Sequence, residues 1–325
     1  MPQIVALGEL LIDFTPVGVN DVGIAVYERN PGGAPANVLA MASKLGSSTA
    51  FIGKVGNDSF GRYLKSVLVN SNIDTSGLLL SDEYKTTLAF VNLDENGDRD
   101  FDFYRGQGAD TMLRPEEIDS NIFDECELFH FGSVSLTCEP SRSATIAAAR
   151  EARRRGKRIS FDPNYRQPLW RSEAEAKEEI LKVVPLANIL KVSEEEMVLL
   201  TGVNDLEQGA AILSEMGPEI VLVSRGSSGA FYYTKDYCAA LPTYAVDTID
   251  ATGAGDVFLG VILNRLLGSA SYRETGIIGQ TELNEIVDFA NAAGSIATTR
   301  YGAIPSFPDL KEIEYCRSTY PYLEC

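Results

Sequence analysis

The sequence predicts an α/β fold: a doubly wound, mainly parallel sheet with helices on both faces, plus a small separate β-sheet. Three observations carry this. Apolar runs of strand length alternate with helix-like segments along most of the chain. Residue types mark the helix boundaries. Two segments break the alternation and read as strands of their own.

Taken in order, residues 4–14 open the chain as one apolar strand. Pro35 then sits in the first turn of a helix that stops at Gly46, the Pro-in, Gly-out asymmetry of helix ends. Ser172 with Glu175, and Ser193 with Glu196, have the spacing of capping boxes. The strand 220–223, the turn Arg225-Gly-Ser-Ser-Gly229 and the strand 230–233 form a hairpin rather than a crossover. Residues 21–30, 86–93 and 99–105 read as strands of the small sheet, the last two joined by Glu95-Asn96-Gly97-Asp98, whose Asn-Gly pair favours a tight hairpin turn. There Asp100 and Asp102 alternate with Phe101 and Phe103, giving one apolar and one wet face. Such an appendage suits a lid, and the same pattern suits a dimer interface.

With 325 residues and 45% hydrophobic content, the chain can bury a large core, expected as one big domain with a small appendage. A formal charge of −18 repels nucleic acid, and any anionic substrate must meet specific cations. Cys126, Cys138, Cys238, Cys316 and Cys325 are odd in number and contain no CxxC pair, against a disulfide framework or zinc cage. The start lacks a basic segment, and no apolar run reaches the ~18 residues of a membrane span. A reduced, cytoplasmic, soluble protein is expected.

The stretch Asp247-Thr-Ile-Asp-Ala-Thr-Gly-Ala-Gly-Asp256 passes directly into an apolar helix over residues 257–267. Gly253, Ala254 and Gly255 let backbone N–H groups converge at the positive end of that helix, where phosphate fits. Asp256, in the first turn, would face whatever the turn holds. Phosphoryl transfer needs positioning, charge neutralisation and one carboxylate to receive the hydroxyl proton. A P-loop, a dinucleotide-binding Gly-x-Gly-x-x-Gly and the protein-kinase signatures are all missing. The single histidine, His130, lies in Phe129-His130-Phe131 and reads as part of a buried strand rather than a catalytic base.

Asp-Ala-Thr-Gly-Ala-Gly-Asp256 resembles the C-terminal signature of the ribokinase-like, or PfkB-type, carbohydrate kinases. The segment Gly32-Gly33-Ala-Pro-Ala-Asn37, followed by Gly46 and Gly56, resembles their N-terminal signature, and matching blocks continue to Ser306. Gly8-Glu9-Leu-Leu-Ile-Asp13, Phe103-Tyr104-Arg105, Phe161-Asp-Pro-Asn-Tyr-Arg166 and Pro168-Leu169-Trp170 resemble the fructokinase branch. The resemblance implies one ribokinase-like domain over residues 1–325, with a lid from insertions at about 15–32 and 85–108. It implies transfer of the ATP γ-phosphate to a primary hydroxyl of fructose, with Asp256 as general base and the 253–255 turn holding the phosphoryl group. It assigns the sugar side to Asp13, Gly32, Gly33, Asn37 and Arg105, and the phosphate path to Asn164 and Arg166. ATP would meet Lys191, Ser193, Ser224, Gly226, Gly229 and Asn291.

Glu196 matches the acid that organises water around Mg²⁺ in the family, although Ser193 replaces the usual Asn and a capping box explains the same pair. Asp250, Ala251, Ala297, Gly302 and Ser306 match the positions that hold a K⁺-like cation. The resemblance further implies a homodimer through the lid. Within it, 2-keto-3-deoxygluconate, ribose and nucleoside kinases stand as alternatives. Outside it stand a catalytically silent sugar-binding regulator and an unrelated α/β interaction protein.

Overall fold

The computed structural model describes residues 2–93 and 99–323, with no account of the side chains of 92, 93 and 99–101. The turn expected at residues 95–98, the Asp100 and Phe101 side chains and Cys325 therefore lie outside the described residues.

The chain begins β1 (Ile4–Leu7), β2 (Leu11–Val19), β3 (Ala25–Gly32), α1 (Ala34–Lys44), β4 (Thr49–Gly56), α2 (Ser59–Asn70), β5 (Ile73–Asp74), β6 (Leu78–Ser81), β7 (Leu88–Leu93) and β8 (Arg99–Tyr104). It continues β9 (Leu128–Gly132), α3 (Ser141–Arg154), β10 (Arg158–Asp162), α4 (Glu173–Val183), β11 (Ile189–Ser193), α5 (Glu194–Thr201), α6 (Leu206–Glu215) and β12 (Ile220–Ser224). The hairpin β13 (Ala230–Tyr233) and β14 (Cys238–Leu241) precedes α7 (Ala254–Gly268), α8 (Ala270–Thr275), α9 (Gln280–Ala297) and α10 (Leu310–Thr319).

The large sheet has the order β14-β13-β12-β11-β10-β9-β1-β4-β5, with β6 also on β4, and is parallel except for β12-β13-β14. Winding goes outward from β1 through β4, then restarts at β9 on its other side, so β1 and β9 flank a topological switch point where ligands bind in such sheets. Every side chain of β1 is buried, yet successive ones point to opposite faces. Ile4 and Ala6 enter a core with α1, α7 and α9, whereas Val5 and Leu7 enter one with α3, α4 and α6. Strand β12 repeats the pattern, with Ile220 and Leu222 on one side and Val221 and Val223 on the other. This two-sided burial explains why such strands read as continuous apolar runs.

The opening strand expected over residues 4–14 is two strands. The chain leaves the large sheet after Leu7, and β2 joins β3, β7 and β8 in a separate four-stranded sheet. Asp13 therefore lies inside the small sheet, opposite Asn30, rather than at the end of β1. An apolar run cannot show that its second half belongs to a different sheet.

The box at Ser193 is complete, with Ser193 Oγ accepting from Glu196 N–H and Glu196 Oε2 accepting from Ser193 N–H. At Ser172 the hydroxyl accepts from Glu175 N–H, but the Glu175 carboxylate turns to Arg142. His130 is fully buried on β9, with Nδ1 against Ser160 Oγ, and burial pushes its pKa down to about 4.

Candidate active site

The turn before α7 is built by glycine. Gly253 takes φ 78°, the left-handed region that costs a residue with a Cβ, and caps the helix. The following amides open the positive end of a 15-residue helix. Asp256 sits in its first turn and is largely buried. Its Oδ2 accepts a 2.9 Å hydrogen bond from Asn37 Nδ2, so the first turns of α1 and α7 meet through the two residues the separate signatures singled out. Asn37 Oδ1 is buried without a partner among the described residues, an acceptor left over for a hydroxyl.

Burial pushes Asp256 up to about 6; Asn37 opposes the rise, Asp162 adds to it, and Lys191 and Arg166 oppose it. A carboxylate poised there is mostly ionised at neutral pH yet a stronger base than an ordinary aspartate. Lys191 Nζ pairs with Asp162 Oδ2 at 2.7 Å, both groups buried. Burial works against the ammonium, but Asp162 and Glu196 hold its pKa above the ordinary lysine value. A Cβ built on Gly255 would lie 3.3 Å from that Nζ, so the cation stands directly beside the turn. Asp162 Oδ1 also accepts from Asn164 N–H, fixing Asn164 in the left-handed region at φ 46°. Arg166 lies near enough to Asp256 to lower its pKa.

On the opposite side, Gly32 admits a carboxylate that no other residue would: a Cβ there would fall 2.2 Å from Asp13 Oδ2. Gly33 takes φ 127°, and a Cβ on it would meet Glu9 O at 2.4 Å. Glu9 Oε1 accepts from Ala34 N–H at the start of α1, while its Oε2 is buried without a partner among the described residues. Burial lifts Glu9 to about 7. Arg105 follows β8, with Nε on Asp110, Nη1 on Thr137 and Nη2 on the Val134 carbonyl. Asp110 also accepts from Thr87, so these residues tie both ends of the β7–β8 hairpin to the large domain. A cavity of about 370 Å³ lies between the small sheet and the loops at 250–252 and 301–303, walled by Asp13, Asn30, Asp250, Thr252 and Tyr301.

A second cavity, of about 290 Å³, joins the turn to the β12–β13 hairpin. Ser224, Gly226, Gly229, Gly255 and Asn291 line it together with the apolar Phe258 and Ala290. Asn291 Nδ2 donates to the Pro242 carbonyl at 2.9 Å, bracing the far wall. Ser193 and Glu196 stand apart from this lining. Glu196 Oε1 accepts from Tyr165 N–H at 2.6 Å and Oε2 from Ser193 N–H at 2.7 Å.

Among the described residues, no three His, Cys, Asp or Glu side chains form a ready metal cage. That suits Mg²⁺, which is usually held by one or two carboxylates, phosphates and its own waters. Each Glu196 oxygen keeps a lone pair beyond its backbone bond and could hold such a water. The cation candidates cluster in one loop system. Asp250 accepts from Thr252 N–H and Gly302 N–H, its own N–H bonds Thr298 O beside Ala297, and Ser306 Oγ bonds Ala303 O. Ala251 follows on the same loop.

Sequence reasoning passed over Asp162, although it opens the Asp-Pro-Asn run at the end of β10. Glu9, Asp110 and Thr137 were given no role either: Glu9 and Thr137 act on residues 25 and 32 positions away, and Asp110 bridges Arg105 and Thr87 across the β7–β8 hairpin.

The chain has counterparts elsewhere. Residues 1–310 match the pfkB family carbohydrate kinase model. Probable fructokinase-2 of Arabidopsis thaliana is 41% identical over 308 residues, 94% of this chain and 92% of that one. The crystal structure of fructokinase with bound ATP from Xylella fastidiosa superposes with a TM-score of 0.88 at 29% identity, covering 98% of this chain and 99% of that one. A Vibrio cholerae fructokinase in a fructose-, ADP- and potassium-bound form gives 0.87 at 34% identity, covering 100% and 99%. The chain therefore belongs to the pfkB family of carbohydrate kinases.

Proposed function

We propose that this chain is an ATP-dependent fructokinase whose general base is Asp256. The observation that carries the reading is the junction of a raised, buried carboxylate with a Gly-built helix N-terminus and a buried ammonium. Asp256 takes the proton from a primary hydroxyl of fructose while Asn37 holds its other face and orients it. The 253–255 amides and Lys191 face the transferring phosphoryl group, where negative charge must be neutralised. Arg166 and Asn164 flank that path. Asp13, Gly32, Gly33 and Asn37 hold the sugar hydroxyls, with Arg105 fixing the hairpin that closes over them.

The cavity lined by Ser224, Gly226, Gly229 and Asn291 takes the nucleotide. Mg²⁺ bound with ATP would supply further charge neutralisation, with Glu196 and its Ser193 cap holding the surrounding water. A K⁺-like cation would sit among Asp250, Ala251, Ala297, Gly302 and Ser306 and strengthen the anion-holding turn.

The small sheet acts as a lid on a single ribokinase-like domain, and its closure limits ATP hydrolysis by water. The exposed Val17, Val19, Val22, Ile24 and Tyr104 of this region pair two chains into a homodimer. No helix among the described residues is long and apolar enough to cross a membrane, and the described cysteines, Cys126, Cys138, Cys238 and Cys316, are unpaired with one another; a reducing, cytoplasmic setting accommodates both.

ADP release with ATP and a panel of fructose, ribose and 2-keto-3-deoxygluconate tests the substrate, fructose giving the highest kcat/KM. Asp256→Asn should lose about 10²–10⁴-fold in kcat while still binding both substrates. Near-native turnover by this variant would remove Asp256 as the base.

A further inference from the structure

Beyond residue 310, where the family match ends, the chain returns to the nucleotide cavity. After α10 it pairs with the strand-like segment that follows β14. Ala245 N–H donates to Pro321 O at 2.9 Å, Leu323 N–H donates to Thr243 O at 2.8 Å, and Tyr322 faces Tyr244 in an antiparallel bridge. This short pairing is pinned by one buried carboxylate. Asp288 on α9 accepts from Tyr244 Oη at 2.8 Å, Tyr322 Oη at 3.1 Å and Arg317 Nε at 2.7 Å, and the two tyrosine rings lie 4.9 Å apart. Asp288 lies less than one helical turn before Asn291, so the cluster that fixes this segment also fixes the helix face that lines the cavity. The result is that Leu323 stands in the cavity wall with Phe258, Ala290 and Asn291.

We infer that residues 320–323 form a wall of the nucleotide site, with Leu323 packing on the adenine base and Tyr322 acting as the positioning residue that holds it there. This rests on the kinase reading only for the identity of the nucleotide. The phosphates are drawn to the turn of α7, which leaves the base to the apolar part of the lining, Phe258, Ala290 and Leu323. An aliphatic side chain there contributes through area removed from water, and it offers no hydrogen bond with which to read the base.

The test is a calorimetric titration of adenosine, together with steady-state kinetics, on the full chain and on Leu323→Ala, Leu323→Asp and Tyr322→Phe. Leu323→Ala should weaken adenosine binding and raise KM for ATP by about 3- to 30-fold, the span expected for losing a partly buried leucine contact. Leu323→Asp should exceed it, since a carboxylate would be desolvated against the base. Tyr322→Phe should shift both in the same direction by less. In all three, kcat and KM for fructose should stay within about twofold and the melting temperature should hold. Adenosine affinity and KM for ATP unchanged in both Leu323 variants would overturn the inference even if the wild type is a fructokinase. Weakened adenosine binding in the Leu323 variants, in a protein whose wild type releases no ADP with fructose, would uphold it and overturn the substrate assignment instead.

Discussion

The catalytic end of the large sheet and the small sheet bury polar and apolar groups by opposite rules. Around Asp256, charged groups are enclosed but committed: Asp162 to Lys191, Asp256 to Asn37, Glu196 to two backbone amides. In the small sheet and its β2–β3 turn, Val17, Val19, Val22, Ile24 and Tyr104 lie exposed, and one face carries a local aromatic cluster. Phe14 stacks on Phe90 at 4.9 Å, and Tyr27 and Tyr104 meet Phe90 edge-on. The first region is bound into the main cores, so its charges are held in fixed positions, as the proposed mechanism requires. The second is held by that aromatic cluster and joins the main core through Ile12, Phe14 and Leu88 and through the Arg105 clamp.

The difference can be broken most sharply at the buried ion pair. Lys191→Met strands the Asp162 carboxylate and should cost about 3–5 kcal/mol of global stability, read by denaturant unfolding. It should also cost about 10²–10³-fold in kcat, the scale of losing one preorganised charge-stabilising donor. Adding Asp162→Asn should recover most of the stability and none of the rate. Recovery of both would make the pair a structural prop only.

A cut in the other region should act locally. Phe90→Ala removes three ring contacts worth about 0.5–1.5 kcal/mol each. Amide exchange should quicken in β2, β3, β7 and β8 while protection in β1 and β9 stays, and KM for fructose should rise several-fold with kcat changed less. Equal acceleration in both sheets would mean that the small sheet is not an independent unit.

The same contrast governs how much the sequence revealed. The alternation of strands and helices and the glycine-punctuated ends of α1 and α7 were legible, because burial on both faces and left-handed turns restrict residue type locally. Asn37 and Asp256 were each visible, but the bond between them joins positions 219 residues apart and needed the fold. The break after Leu7 was hidden because Leu11 and Ile12 are as buried as β1 itself. Glu9, Asp110 and Asp162 were missed for a shared reason: each works through a partner brought by another element. Leu323 was missed because an isolated leucine near a chain end carries no signal until the cavity beside it is seen.

The most direct measurement is the pH profile of kcat/KM for fructose between pH 5 and 8.5, on the wild type and on Asp256→Asn. Because the base must be ionised, activity should be full above the raised pKa and fall tenfold per unit below about 6, well above the 3.8 of an unperturbed aspartate. The residual activity of Asp256→Asn should lack that acid limb. A limb that persists unchanged in the variant would assign the titration to another group, such as Glu9 at about 7, and would contradict the central claim.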